Sequence, residues 1–368
     1  MIFTNFTRSC ILRLVCCISI SAPFLNAQEN DSLQTRIKKN FLVIPALFYT
    51  PETKLGYGAI AAIYFRKPFP ENAKPTTLVP SVIYTQNKQF TAGLYADHYW
   101  DREKYHGTTE ITFLKYPDVL YGVGPDTPDS SLEKFTPRTF KFSLILQKQW
   151  KPKFYAGLQY EIDHTRIIER ENTGILSNTS TEGSRRGLRS GVGFMANYDT
   201  RDNTQYPTSG GNIIVSFVPF QSWLGSDYSY NRIIVDARRY YPFFQNHIAA
   251  VQMYFFQETG KPPFTDLALF GGQMMMRGYR YGRYRDRGMF VAQTEYRFPV
   301  YWRFGGVIFG SYGDVAHRVS DYRITDLKTS YGYGIRFAFD ENEKLNLRLD
   351  FGYGKKTSGY YISIGEAF

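Results

Sequence analysis

The chain has 368 residues, a formal net charge of +11, and 17% aromatic residues, with 30 Tyr and 30 Phe, at a mean hydropathy of −0.36. No run of about 18 apolar residues occurs, which excludes a bundle of membrane-spanning helices. Many aromatics in a chain that is polar on average fit a transmembrane β-barrel, in which apolar outward residues alternate with polar inward ones between two aromatic girdles.

In chain order, a targeting segment comes first. Arg8 and Arg13 form a basic start, 14–22 is a short apolar core, and Leu25, Asn26 and Ala27 offer a small-residue cleavage site before Gln28, the pattern of a secretory signal over 1–27. Cys10, Cys16 and Cys17 all lie within it, so the remaining chain has no disulfide, thiol or cysteine-metal chemistry. Residues 28–40 are a short polar leader, too short for a periplasmic receiving domain. From 41 to 368 the sequence predicts an all-β unit, a 16-stranded antiparallel barrel.

Its alternating segments fall at 41–49, 55–65, 77–84, 89–99, 106–115, 138–150, 154–166, 186–199, 211–220, 228–241, 247–259, 289–299, 304–314, 327–339, 345–354 and 360–368. Each is near the 9 to 11 residues, roughly, that a tilted strand needs to cross a bilayer. The clearest is 345–353, where Leu345, Leu347, Leu349, Phe351 and Tyr353 share one face and Asn346, Arg348, Asp350 and Gly352 the other. A charged face repeated opposite an apolar one means a polar interior rather than a dry core. Short connections (151–153, 242–246, 300–303, 340–344) alternate with long ones (116–137, 167–185, 260–288). Short turns inside and long loops outside are the habit of bacterial barrels, and they place both chain ends in the periplasm. Phe368 ends the last alternating segment as an insertion signal; Ile362 and Ile364 share its face and Glu366 interrupts it.

The long connection 260–288 carries Arg277, Gly278 and Tyr279, and the strand after it carries Glu295 at an inward position. An arginine held out of water needs a carboxylate, because an unpaired buried charge costs several kcal/mol. So many charges between two membrane-type strands are best accommodated if this loop folds into a wet barrel interior. Arg280, Arg283, Arg285 and Arg287 fit either a lumen lining or a solvated loop face, with Asp286 the only acid nearby in sequence. Met274, Met275 and Met276 fit adaptable packing at the loop base. His98, His106, His164, His247 and His317 are scattered without metal-ligand spacing, and no nucleophile elbow is present. No catalytic residues, metal or cofactor are therefore expected. The positive charge fits a basic lumen and contact with anionic outer-membrane lipids; no nucleic-acid partner is expected, since no helix-turn-helix, finger or RNA motif occurs.

Tyr198, Asp199, Thr200, Arg201 and Asp202 with Pro207, Gly210 and Gly211, then Arg277, Gly278 and Tyr279, then Glu295, Tyr296, Arg297, Phe298 and Pro299, together resemble the BamA/TamA-like superfamily of outer-membrane assembly and translocation barrels, the bacterial surface antigen family. The resemblance covers 41–368 and is densest over 190–368. It implies that 260–288 is the sixth outer loop, folded back so that Arg277 pairs with carboxylates on the two following strands, Glu295 being the first. The family's second carboxylate sits in a Phe-x-Asp-x-Gly pattern. Here that segment is Phe309, Gly310, Ser311, Tyr312 and Gly313, so Ser311 replaces the acid; either the clamp is weaker or Asp314 reaches in from the strand end. Family members with assembly roles carry POTRA domains, and this chain resembles a barrel-only branch that relies on a periplasmic accessory protein.

The resemblance implies protein insertion or translocation through a weak seam between the first and last strands. Client outer-membrane proteins would pair there, beside Leu47 and Ile362. On this expectation the Arg277 clamp braces the wall opposite the opening. A passive channel or a scaffold subunit of an outer-membrane complex is the alternative.

Overall fold

The computed structural model describes residues 38–66, 76–172, 174–177, 181–340 and 345–368. The expected signal at 1–27 and nearly all of the leader at 28–40 lie outside the described residues, as does most of the 340–344 turn. Sixteen antiparallel strands close into a barrel. They are β1 (Lys38–Thr50), β2 (Lys54–Arg66), β3 (Thr76–Thr85), β4 (Phe90–Trp100), β5 (Tyr105–Lys115), β6 (Glu133–Lys151), β7 (Phe154–Arg170) and β8 (Arg186–Asp199), followed by β9 (Gly210–Phe220), β10 (Tyr230–Phe244), β11 (His247–Gly260), β12 (Gly288–Tyr301), β13 (Phe304–Ala316), β14 (Lys328–Asp340), β15 (Leu345–Gly354) and β16 (Thr357–Ile364). A short strand, Asp118–Leu120, extends the sheet along β6, and Ala268–Phe270 pairs with Tyr284–Asp286 inside the connection between β11 and β12.

The wall is inside-out relative to a water-soluble sheet. On β15, Arg348 and Asp350 are buried at 1% and 0% exposure, while Leu347 is 44% exposed. The same alternation recurs on β14, where Tyr331, Tyr333 and Ile335 are exposed and Arg336 is buried. Period-two alternation turns every second side chain to the same face, so an apolar exposed face requires an apolar solvent around it. At the end of the barrel with short turns, Trp150, Phe244, Tyr301 and Trp302 stand exposed as an aromatic girdle. Tight turns are closed by residues in the left-handed region, Lys153, Asn246, Trp302 and Lys356 among them, as hairpin geometry demands.

The last strand differs from the sequence expectation. It runs 357–364 rather than 360–368, because Lys356 makes the hairpin turn at φ 58° and Gly365, at φ 83°, ends the strand. The Gly365 N–H donates to the Asn346 carbonyl at 2.8 Å, and the chain then leaves the wall. Phe368 is therefore not on an alternating strand beside Ile362. It is buried at 1% exposure with Tyr240, Ile248, Ala250 and Ala367, side chains of β10, β11 and the tail itself.

Candidate functional site

The connection between β11 and β12 supplies the centre of the site. Arg277 is fully buried. Its Nη2 donates to Glu295 Oε1 at 2.5 Å and its Nη1 to Asp350 Oδ2 at 2.6 Å. The guanidinium lies over the Phe309 ring at 3.4 Å from its centroid, where burial strengthens the cation–π attraction. Each carboxylate continues outward to another arginine. Arg297 Nε donates to Glu295 Oε2 at 2.8 Å, and Arg336 Nη1 donates to Asp350 Oδ1 at 2.6 Å. Both arginines then meet Glu366 of the tail, Arg336 Nε at 2.7 Å and Arg297 Nε at 3.9 Å. Arg277, Glu295, Arg297, Glu366, Arg336 and Asp350 thus form a closed ring of alternating charge. Its members come from the loop, from β12, β14 and β15, and from the tail. Arg348 stands beside it, 3.5 Å from Asp350.

Alternation explains the stability of such a ring. Every carboxylate has at least two cations and every arginine of the ring two anions, so no buried charge is left alone. Glu366 lies beyond the last strand. Burial pushes its carboxyl up, but Arg336 and Arg297 outweigh this and hold it below the ordinary range.

The loop backbone is fixed as tightly as its charge. The Gly278 N–H donates to Tyr361 Oη at 3.0 Å, and Thr357 Oγ1 donates to the Gly278 carbonyl at 2.9 Å. Tyr279 Oη donates to the Thr329 carbonyl at 3.2 Å and accepts from the Lys355 N–H at 3.0 Å. Gly278 has φ +107°, and a Cβ there would lie 2.7 Å from the Tyr353 backbone; a Cβ on Gly352 would lie 2.6 Å from the Arg277 carbonyl carbon. Two backbones meet here with no room for side chains.

Ser311 and Asp314 do not serve Arg277. Ser311 Oγ faces Gln293 Oε1 at 3.5 Å. Asp314 is buried and takes Lys328 Nζ at 2.7 Å, and that ammonium lies 4.3 Å from the centroid of the Tyr284 ring in the loop. The second carboxylate at Arg277 is Asp350, on β15. The loop therefore touches β15 and β16 on one side of the seam as well as β12, and through Asp266 it also reaches β8 and β10, the wall farther round the barrel. Asp350 was legible as an inward acid on the clearest strand; what the sequence could not show was its distance from Arg277.

Four further anchors hold the same loop. Asp266 takes Arg189 Nη1 at 2.7 Å and Arg232 Nη1 at 3.5 Å and accepts from Tyr230 Oη. Burial raises the Asp266 carboxyl, but the two arginines reverse this and leave it well below the usual range. Arg285 Nη2 donates to Asp118 Oδ2 at 2.6 Å, and Arg283 Nη2 lies 2.8 Å from Asp129 Oδ1. Arg283 and Arg285 are thus neither lumen lining nor solvated face: they tie this loop to the one after β5. The Tyr281 N–H donates to Glu52 Oε1 at 2.6 Å, in the turn that ends β1.

The seam itself is sparse. Among the described residues β1 and β16 share the single register position Tyr49↔Ile362, supported by Tyr49 and Tyr360 rings stacked at 4.4 Å. By contrast β1 and β2 pair continuously from Lys38↔Arg66 to Thr50↔Lys54. Leu47 is 63% exposed beside this gap. Among the described residues no group of three or more His, Cys, Asp or Glu is placed to hold a metal ion.

A family model described as the Omp85 superfamily domain matches residues 81–368. Among solved structures, the chain is similar to BamA from Haemophilus ducreyi lacking POTRA domains 1-3, with a TM-score of 0.60 at 15% identity over 90% of this chain and 70% of that one. It is similar also to CdiB from Acinetobacter baumannii, with a TM-score of 0.58 at 13% identity over 89% of this chain and 59% of that one. For CdiB from Escherichia coli the TM-score is 0.56 at 10% identity, over 88% of this chain and 63% of that one. At these identities the likeness is one of fold. No curated protein matches the sequence.

Proposed function

The chain belongs to the Omp85 superfamily and is a β-barrel of the bacterial outer membrane, and on that premise we propose that it inserts or translocates other outer-membrane proteins through the β1–β16 seam. The observation that carries this reading is the single shared register position between those strands. An unpaired strand edge is a template for an incoming strand. A client strand added to β1 replaces missing hydrogen bonds rather than breaking a continuous ladder.

In this mechanism the loop between β11 and β12 lies inside the lumen and works as a brace. It holds β15 through Asp350 and β16 through Tyr361 and Thr357. The strand on one side of the opening is thereby fixed along its length, while on the other side the loop contacts the turn after β1 through Glu52 and leaves the β1 edge to pair. The two ion networks of this loop cross the interior, which favours a filled, non-conducting barrel over the passive channel. The reading is non-enzymatic, and a periplasmic accessory protein that delivers clients belongs to the same proposal.

The test is a photo-crosslinking residue at Leu47 or Ile362 in living cells. Several unrelated outer-membrane proteins captured at both positions are expected. Capture of one fixed partner, or of lipid alone, would point to a scaffold subunit and overturn the insertion role.

A further inference from the structure

We propose that the outer wall of β5 to β8 carries a binding stripe for a lipid headgroup bearing more than one phosphate. Four cations stand directly opposite one another across these strands, Lys115↔Arg138, Arg138↔Arg166 and Arg166↔Arg186. Residues directly opposite in an antiparallel ladder point to the same face. That face is outward: Leu114, Thr139 and Gly187, their neighbours in sequence, are buried, whereas Arg138, Arg166 and Arg186 are exposed and Lys115 is half-buried.

Like charges placed directly opposite repel and destabilise a sheet, so a row of four without an interleaved acid calls for an external anion. Among the described residues none of the four forms an ion pair. Two acids on or beside these strands have other partners: Glu169 accepts from Thr136 Oγ1 at 2.8 Å, and Asp227 accepts from the Leu188 N–H at 2.7 Å. The cations are also not on a free loop. β6 and β7 continue past the row, pairing from Thr136↔Glu169 to Phe135↔Arg170. Strands spaced about 4.8 Å apart set the four charges along a rigid line of roughly 15 Å. Such a line matches several linked phosphates better than one.

Its height selects the partner. β5 spans the 11 residues from Tyr105, stacked on Trp100 at the end with short turns, to Lys115. At about 3.4 Å per residue and a tilt of roughly 40°, that run rises about 25 Å, the height of the apolar band of an outer-membrane barrel. Directly below the cations come exposed Phe113 and Phe140. The stripe therefore sits where acyl chains give way to headgroups in the outward-facing leaflet. Arginine forks there can take phosphate oxygens two at a time. This site does not depend on the insertion role, only on the outer-membrane location.

The experiment uses the full chain, purified in an uncharged detergent and examined by native mass spectrometry. Three probes are added separately: a bisphosphorylated, hexa-acylated glucosamine disaccharide, dimyristoyl phosphatidylglycerol, and inorganic phosphate. The wild type should retain the bisphosphorylated glycolipid at about tenfold lower concentration than phosphatidylglycerol, and the R138Q/R166Q/R186Q variant should lose that preference by about tenfold. Heat-modified gel migration should show the variant barrel still folded, since removing repulsion leaves the wall intact. Should the triple variant fail to fold, Arg166→Gln alone, at the middle of the row, must still weaken retention. Equal retention by wild type and variant overturns the site. Equal retention of phosphatidylglycerol, or displacement by millimolar inorganic phosphate, overturns the assignment to a multiply phosphorylated headgroup.

Discussion

At the residue scale, one guanidinium holds two strands and a loop together. Replacing Arg277 with alanine leaves Glu295 and Asp350 buried with one cation fewer, and breaking a buried pair from one side costs about 3–5 kcal/mol. We expect Arg277→Ala to lower the unfolding temperature of the purified barrel and to abolish crosslinking of clients, with Asp350→Asn close behind. Asp314→Asn should leave client capture unchanged, because its partner is Lys328 and not Arg277. Equal losses from Asp314→Asn and Asp350→Asn would remove the basis for the ring. The sequence exposed Arg277 and Glu295 because an isolated charge at an inward position demands a partner. It pointed to Ser311 and Asp314 for the other partner because family position and chain proximity were the only guides. Asp350 is 73 residues away in sequence and 2.6 Å away in space.

At the element scale, strands were legible and their ends were not. Alternation locates each strand because one face meets lipid and the other the polar interior; where it stops depends on turns and on neighbours. β6 and β7 extend to Glu133 and Arg170, beyond the alternation, because they pair with each other above the membrane. β16 stops early at Gly365 because the tail has charged partners inside. The close contact of Gly352 with the loop gives a test of the brace. Gly352→Ala places a methyl group against the Arg277 backbone, so limited proteolysis should cut the 261–287 segment at least several times faster while the barrel itself stays folded. Unchanged cleavage would show that the contact is not what seats the loop. The seam gives another test: Tyr49 and Ile362 face each other in register, and opposed positions in a ladder suit a disulfide. A Y49C/I362C pair should stop client capture when oxidised and restore it on reduction; capture that persists with the bond closed argues for a route other than the seam.

At the scale of the whole molecule, loop and tail converge on one charge network and a second anchors the loop at Asp266, so barrel integrity should follow the carboxylates of both. Glu366 and Asp266 both titrate below their ordinary ranges. The sign follows directly: a carboxylate with a lowered folded pKa contributes stability that is fully present above its unfolded value, near 4 or so, and is lost as pH falls through the folded value. Thermal stability should therefore be flat from about pH 8 to 5 and fall below about pH 4. In an Arg336→Gln variant Glu366 loses its nearer cation and its folded value moves back toward the unfolded one, so the variant should start from a lower stability and lose less of it on acidification; identical profiles for the two proteins would show that the tail contact contributes nothing.

Composition and alternation alone determined that this is an outer-membrane-type barrel with sixteen crossings, long loops at one end, and a charged loop that needs an inward partner. Those features are local: they follow from what each face of a strand must touch. Only the tertiary structure decided that Asp350 and not Asp314 completes the pair, that Arg283 and Arg285 reach acids on another loop, and that Glu366 and Phe368 turn inward. Barrel closure brings residues from distant strands to one interior, and ion pairing there depends on distance across the lumen, which no sequence spacing records.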